Sequence, residues 1–296
     1  MNIRTDLAIE SREIFHEKKG DEGEIPGVQV QVDNPCDQIS VTRISISDER
    51  GSRAMGKPVG NYITIEVRGL GEDDEKLKAD AIRVLSKELS RLIHFHYHLK
   101  MLLIGLGNKK VTPDALGPLT VEKVMVTRHM FLITDAEGDD HVSCVSVLAP
   151  GVMATTGMET AEIIKSAVDI TKPEAVLAVD ALAARNIERI NTTIQISDTG
   201  ISPGSGTGNM RKDLTEKSLG TKVIAIGVPT VIDSKTLILD NLEGFLTNPT
   251  AVEKHIEKKG EPMIVTTSDI DCVIEVFSEI IGEAINKVLH PGIYSQ

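Results

Sequence analysis

Hydrophobic positions change their period twice along the chain. Val28, Val30 and Val32, then Ile39, Val41, Ile44 and Ile46, and later Ile63, Ile65 and Val67 in GNYITIEVRGL alternate with polar residues, the rhythm of half-buried strands. They predict a small antiparallel sheet in the N-terminal part. Ahead of it, the first twenty-odd residues are polar and charged and end in KKGDEGEIPG, which reads as a flexible arm with a turn at Pro26 and Gly27. From Glu75 to His98 the spacing shifts. Leu77, Ala81, Leu85, Leu89 and Leu92 recur at three- and four-residue steps between Lys, Glu and Arg, which predicts one long amphipathic helix.

Beyond it the rhythm is α/β. MLLIGLG, HVSCVSVLAP, EAVLAVDAL, TIQISD and KVIAIGVPTVID are short apolar runs of the kind found in buried strands. Helices are expected from Gly117 and Pro118 to about His129, from Gly157 to Thr171, and from about Asp271 to Leu289. This alternation predicts an α/β fold, a doubly wound and mostly parallel sheet with helices on both faces. Ligands of such sheets sit beyond the carboxyl ends of the strands.

Composition acts mainly by exclusion. The chain has 296 residues, 41% of them hydrophobic and 3% aromatic, enough for a sizeable core and too apolar for disorder. Lys and Arg number 32 against 44 Asp and Glu, a net charge of −12. Such a surface repels phosphate backbones and anionic lipid, so neither nucleic acid nor a membrane is expected as a partner. Cys36, Cys144 and Cys272 are far apart and lack CxxC spacing, so no disulfide framework or zinc knuckle is implied. The opening MNIRTDLAIE places charges where a signal peptide needs an apolar core, and cytoplasm is the expected compartment.

Candidate chemistry centres on two acids. Asp114, in GLGNKKVTPDALGP, follows the first parallel strand; Asp180, in AVLAVDALAAR, ends another. If those strands are neighbours, the two carboxyls point into one crevice, where they cannot both ionise cheaply and come to share a proton. One then activates water while the other donates to the carbonyl or the leaving group. Helix capping or loop bonding explains the same two positions without chemistry. GLGN lacks the third glycine of a dinucleotide loop, and GSGTGN has no Walker Lys-Ser/Thr pair. His94, His96 and His98 finish the predicted helix rather than sharing a strand face, so no metal site is assigned to them. No GxSxG elbow exists. The turn-rich loop DTGISPGSGTGN and the stretch from Lys57 to Glu66 are candidate substrate edges.

GLGNKKVTPDALGP, LAPGVMATTGMET, AVDALAARNIERINTTIQISDTGISPGSGTGN and IAIGVPTVID, with RTDLAIE and GNYITIE, resemble the germination proteases of spore-forming Firmicutes in order along the whole chain. The resemblance implies an endopeptidase of the forespore and spore core that degrades small, acid-soluble spore proteins. It implies a homotetramer made as a self-processing zymogen. Family substrates are cut after an acidic residue that precedes a large apolar and a small residue. Thr5-Asp6-Leu7-Ala8 fits that pattern, which places self-cleavage between Asp6 and Leu7. The chain then divides into a propeptide of residues 1–6, an N-terminal arm, sheet and long helix over 7–98, and an α/β catalytic body over 99–296.

The family's proposed catalytic aspartates fall on Asp114 and Asp180. Asn108, Thr112, Ser202 and Ser205 are candidates for positioning substrate or donating to the oxyanion. Arg185 or Arg211 and Lys212 are candidates for reading the acidic residue before the cut. The chain is similar, more remotely, to the hydrogenase maturation endopeptidases, whose acids and a histidine recognise nickel. No histidine occurs here between His141 and His255, so an aspartic mechanism with neither metal nor cofactor is favoured. Two rivals stay open. One is a nickel- or zinc-dependent maturation-type peptidase, in keeping with an older classing of the family among metalloproteases; the other is a non-catalytic nucleotide-binding α/β module.

Overall fold

The structure, a computed structural model, describes residues 5–20, 23–71, 74–204, 211–242, 245, 249–259 and 263–294. Its strands are β1 (Val28–Cys36), β2 (Ile39–Ile46), β3 (Gly60–Val67), β4 (Lys100–Gly105), β5 (Cys144–Leu148), β6 (Ala175–Ala184), β7 (Thr193–Ser197), β8 (Lys222–Asp233) and β9 (Ile264–Val265). They form one sheet in the order β1-β2-β3-β7-β8-β6-β4-β5, with β9 paired to the end of β8. Neighbours among β8, β6, β4 and β5 are parallel. From β8 through β7, β3 and β2 to β1 every pairing is antiparallel.

The hinge of this arrangement is β7. TIQIS is buried along its whole length and pairs with β3 on one edge and β8 on the other. The N-terminal strands thereby continue the parallel sheet instead of standing apart from it.

Apolar residues on alternate sides of each central strand build two cores. Met101, Leu103, Leu177, Val179, Ile224 and Ile226 pack beneath the helices Glu75–Leu89, Leu116–Glu122 and Ile270–Leu289. Leu102, Ile104, Val176 and Ala178 face the helix Thr160–Thr171 on the opposite side. Burial on both faces is why these strands read as unbroken apolar runs. No helix among the described residues is long and apolar enough to cross a membrane.

Three local expectations are corrected. The supposed flexible arm is a helix, Ala8–Lys19, with Leu7 and Ala8 fully buried. What recurs along it is charge: Glu10 accepts from the Arg185 and Asn186 backbone N–H groups at 2.8 and 2.9 Å, Glu13 chelates Arg189 at 2.6 and 2.7 Å, and Glu17 pairs with Arg185 at 2.7 Å. The long amphipathic helix stops at Leu89, because the chain must turn back to begin β4 at Lys100. His94, His96 and His98 therefore lie beyond it, His96 against Glu174 at 3.0 Å and His98 against the Glu137 carbonyl at 3.2 Å. The helix predicted to run to His129 ends at Glu122, and a separate one spans Arg128–Thr134. Asn286 makes that break by donating to the Lys123 carbonyl (3.0 Å) and accepting from the Met125 N–H (2.9 Å).

Candidate active site

β4 ends at Gly105 opposite Val179, whereas β6 runs on beside β8 as far as Ala184. Asp180 is thus the first residue of β6 with no β4 residue beside it. It stands where the chain leaves β4 towards one face of the sheet and enters β6 from the other, the crevice position of a doubly wound sheet. The turn after β4 and the 3-10 helix Thr112–Asp114 fill the rim of that crevice. Two glycines permit the close approach. Gly107 has φ +108°, and a Cβ there would lie 2.1 Å from the Asp114 carbonyl oxygen. A Cβ on Gly117 would lie 2.5 Å from the Val179 carbonyl oxygen. The Asn108 N–H donates to the Asp114 carbonyl at 3.0 Å and Thr230 Oγ1 to the Pro113 carbonyl at 2.7 Å, which ties the 3-10 helix to the turn after β4 and to β8.

Asp114 and Asp180 line one cleft of about 420 Å³, shared with Val152, Glu159 and Arg211. Asp180 is 5% exposed, and its Oδ1 accepts from the Ala181 N–H at 2.9 Å. Burial holds its pKa well above the ordinary carboxylate value, and the charges of Asp114 and Asp6 push the same way. Burial also raises Asp114, against the opposing pull of the Asn108 N–H and Arg211. Such a pair retains a proton where isolated carboxylates have lost theirs. It therefore offers a base and an acid side by side.

A smaller cavity of about 170 Å³ adjoins this cleft, and Asp180 and Ala181 line both. Asp6 of the N-terminal segment lines it too. The Asp6 N–H donates to the Ala183 carbonyl at 3.0 Å and Asp6 Oδ2 accepts from the Ala183 N–H at 2.9 Å, so the segment docks on the end of β6. The Asp6 carbonyl accepts from Lys57 Nζ at 2.9 Å and from Gln195 Nε2 at 3.0 Å. Gln195 Oε1 in turn accepts from the Ala8 N–H at 2.6 Å. Leu7, held between them, is buried in a cluster with Ile44, Ile46, Tyr62, Leu182 and Ile232. Burying a leucine side chain contributes about 1.5–3 kcal/mol to docking.

Strand register puts these groups level with one another. Gln195 on β7 pairs with Gly227 on β8, and Gly227 pairs with Asp180 on β6, so all three face the same side of the sheet. In the middle of that row Gly227 makes room for the Leu182 side chain. A Cβ there would come within 2.5 Å of the Leu182 side chain. Burial lowers the Lys57 pKa, while Asp6 and Glu10 draw it up.

A family model described as germination protease matches residues 8–257, a span that holds Lys57, Asp114, Asp180 and Gln195. The chain belongs to the germination protease family. The germination protease of Caldanaerobacter subterraneus subsp. tengcongensis is 44% identical over 99% of this chain and 96% of its own length. That of Clostridium tetani is 40% identical over 99% and 97%. That of Bacillus cereus is 46% identical over 83% of this chain and 67% of its own length. Membership of the germination protease family makes the chain a peptide hydrolase.

Within this family member the other residues marked in the sequence scatter. Asn108 shapes the turn after β4, its Oδ1 accepting from the Lys110 N–H at 3.1 Å, and Thr112 opens the 3-10 helix. Ser202 is an exposed residue at the edge of the smaller cavity, and Ser205 lies outside the described residues. Arg185 binds Glu17 at 2.7 Å and Asp240 at 2.9 Å and lines neither cavity. Arg211 and Lys212 line the larger cleft, Lys212 paired with Glu162 at 2.8 Å. Lys57 and Gln195 escaped a reading by motif. The one signal for Gln195 is a long polar side chain at the centre of the short apolar strand TIQIS, whereas Lys57 opens the stretch to Glu66 that the sequence offers as a candidate substrate edge.

Proposed function

We propose that the chain is a spore-germination endopeptidase of aspartic type, made as a zymogen that removes its own residues 1–6 and then hydrolyses small, acid-soluble spore proteins. The observation that carries this reading is Asp180, buried beside Asp114 in one cleft and beside the docked Asp6 in the next. One carboxylate of the pair takes a proton from water, the water oxygen adds to the peptide carbonyl, and the pair returns a proton to the departing nitrogen. Docking of Thr5-Asp6-Leu7-Ala8 beside Asp180 supports cleavage at Asp6–Leu7, and it supports inhibition by so short a propeptide, because Asp6 walls the cavity that Asp180 also lines. Cleavage there would separate residues 1–6 from an N-terminal part over 7–98 and a body over 99–296. Family resemblance adds a homotetramer acting in the spore core.

The test compares wild type with Asp114→Asn and Asp180→Asn. Wild type should lose residues 1–6 and cut a small, acid-soluble spore protein with or without chelator; each folded variant should do neither, with rates down by at least about 10³-fold. Normal clipping by either variant would overturn the acid pair. Activity abolished by chelation would favour the metal-dependent reading instead.

A further inference from the structure

We propose that Lys57 and Gln195 form the oxyanion site of this protease, catalytic groups that hold the carbonyl oxygen of the bond to be cut. The inference rests on the reading that Asp6–Leu7 is the self-cleavage site. Gln195 grips the segment on both sides of that bond, donating to the Asp6 carbonyl at 3.0 Å and accepting from the Ala8 N–H at 2.6 Å. Lys57 Nζ adds a positive charge at 2.9 Å from the same carbonyl oxygen. The register Gln195–Gly227–Asp180 brings the clamp and the acid to one row of the sheet, with the Leu182 side chain lying over Gly227 between them.

A plain anchoring role accounts for this geometry less well. Lys57 is half-buried, and its hydrogen bonds run to the backbone carbonyls of Asp6 and, at 3.4 Å, Thr5. The acids Asp6 and Glu10 offset part of the cost of enclosing this ammonium group, and its direct hydrogen bonds still go to carbonyl oxygens. The same contact strengthens sharply when the carbonyl oxygen becomes an anion, which is the property that accelerates a reaction.

The chemistry then balances without another reactant. A carboxylate of the acid pair takes a proton from water as the water oxygen bonds to the Asp6 carbonyl carbon, and the C=O π pair moves onto the oxygen held by Lys57 and Gln195. Re-forming that C=O expels the Leu7 nitrogen, which leaves with a proton from the acid pair. The products are a carboxyl group on Asp6 and an amine on Leu7. In a protein substrate the clamp would hold the carbonyl of the acidic residue before the cut.

The full chain is its own test. Wild type, Lys57→Met, Lys57→Arg and Gln195→Glu are incubated between pH 5 and 8, with the loss of residues 1–6 timed by mass spectrometry and docking of the segment read by hydrogen exchange at Ala8 and Ile9. Gln195→Glu keeps the acceptor for the Ala8 N–H and removes the donor to Asp6. Clipping by Lys57→Met and Gln195→Glu should slow by about 10²–10³-fold with amide protection retained, and Lys57→Arg should recover part of the rate. Rates within threefold of wild type, or losses no larger than the lost protection, would overturn the clamp. If Lys57→Met does not fold, Lys57→Gln is read in its place. Wild type that is cut elsewhere, or not at all, overturns the cleavage-site reading itself, whatever the variants do.

Discussion

A carboxyl enclosed as Asp180 is ionises at a cost, which comes from burial first and from the charges of Asp114 and Asp6 second. Its folded pKa lies above the ordinary value of 3.8, so the folded chain keeps a proton that the unfolded chain gives up as pH rises. Stability from this group is therefore full below the ordinary value and is lost as pH climbs through the raised one. Asn cannot ionise. Between pH 4 and pH 8 the stability of Asp180→Asn should rise relative to wild type, measured as urea midpoints at each pH; a difference that stays flat or moves the other way would sink this account of the site. Asp114 and Asp180 were legible in the sequence because each stands beside a buried apolar run, although Asp180 does not end its strand: β6 runs on to Ala184, and it is β4 that stops beside it. Lys57 and Gln195 were not, because their joint role depends on where β3 and β7 lie and on a segment that looked like a loose arm.

The N-terminal helix Ala8–Lys19 shows how an element can hide. Its inward stripe is Glu10, Glu13 and Glu17, matched to Arg185 and Arg189 beyond the end of β6, so no apolar periodicity marked it. Arg189 is nine-tenths buried and serves Glu13, with Glu10 and Glu66 at 3.7 and 3.5 Å. Removing it strands Glu10, which burial already disfavours as an anion, and takes the cation from Glu13 and Glu66. Arg189→Ala should lose about 1–3 kcal/mol of stability, less than the ~3–5 of a fully enclosed pair because Glu13 is partly exposed. Denaturant midpoints give the loss, and amide exchange in residues 8–19 should rise more than in β6. Unchanged exchange there would mean that Leu7, Ala8 and the Glu10 and Glu17 contacts hold the helix without Arg189.

At the scale of the whole molecule the decisive feature is one sheet running from β1 to β5 through β7. β3 and β8 both depend on that five-residue strand, so the N-terminal strands and the parallel strands should unfold together. Circular dichroism and the chemical accessibility of Cys36 and Cys144, one in each part, should follow a single coincident transition; two separated transitions would show that residues 7–98 form an independent domain. The sequence by itself determined the long apolar strands of the α/β body, its helices at Thr160–Thr171 and Ile270–Leu289, the burial of those strands on one or two faces, and two candidate acids at or just past apolar runs. Those features are local, since hydrophobic period and the residue that ends a run depend only on near neighbours. Only the tertiary structure decided that β7 runs antiparallel and joins the two halves, that charged residues 8–19 form a docked helix, and that Gln195, Gly227 and Asp180 share a row. The physical reason is that every strand edge offers the same N–H and C=O groups. Which partner satisfies them is settled by the packing of the whole chain.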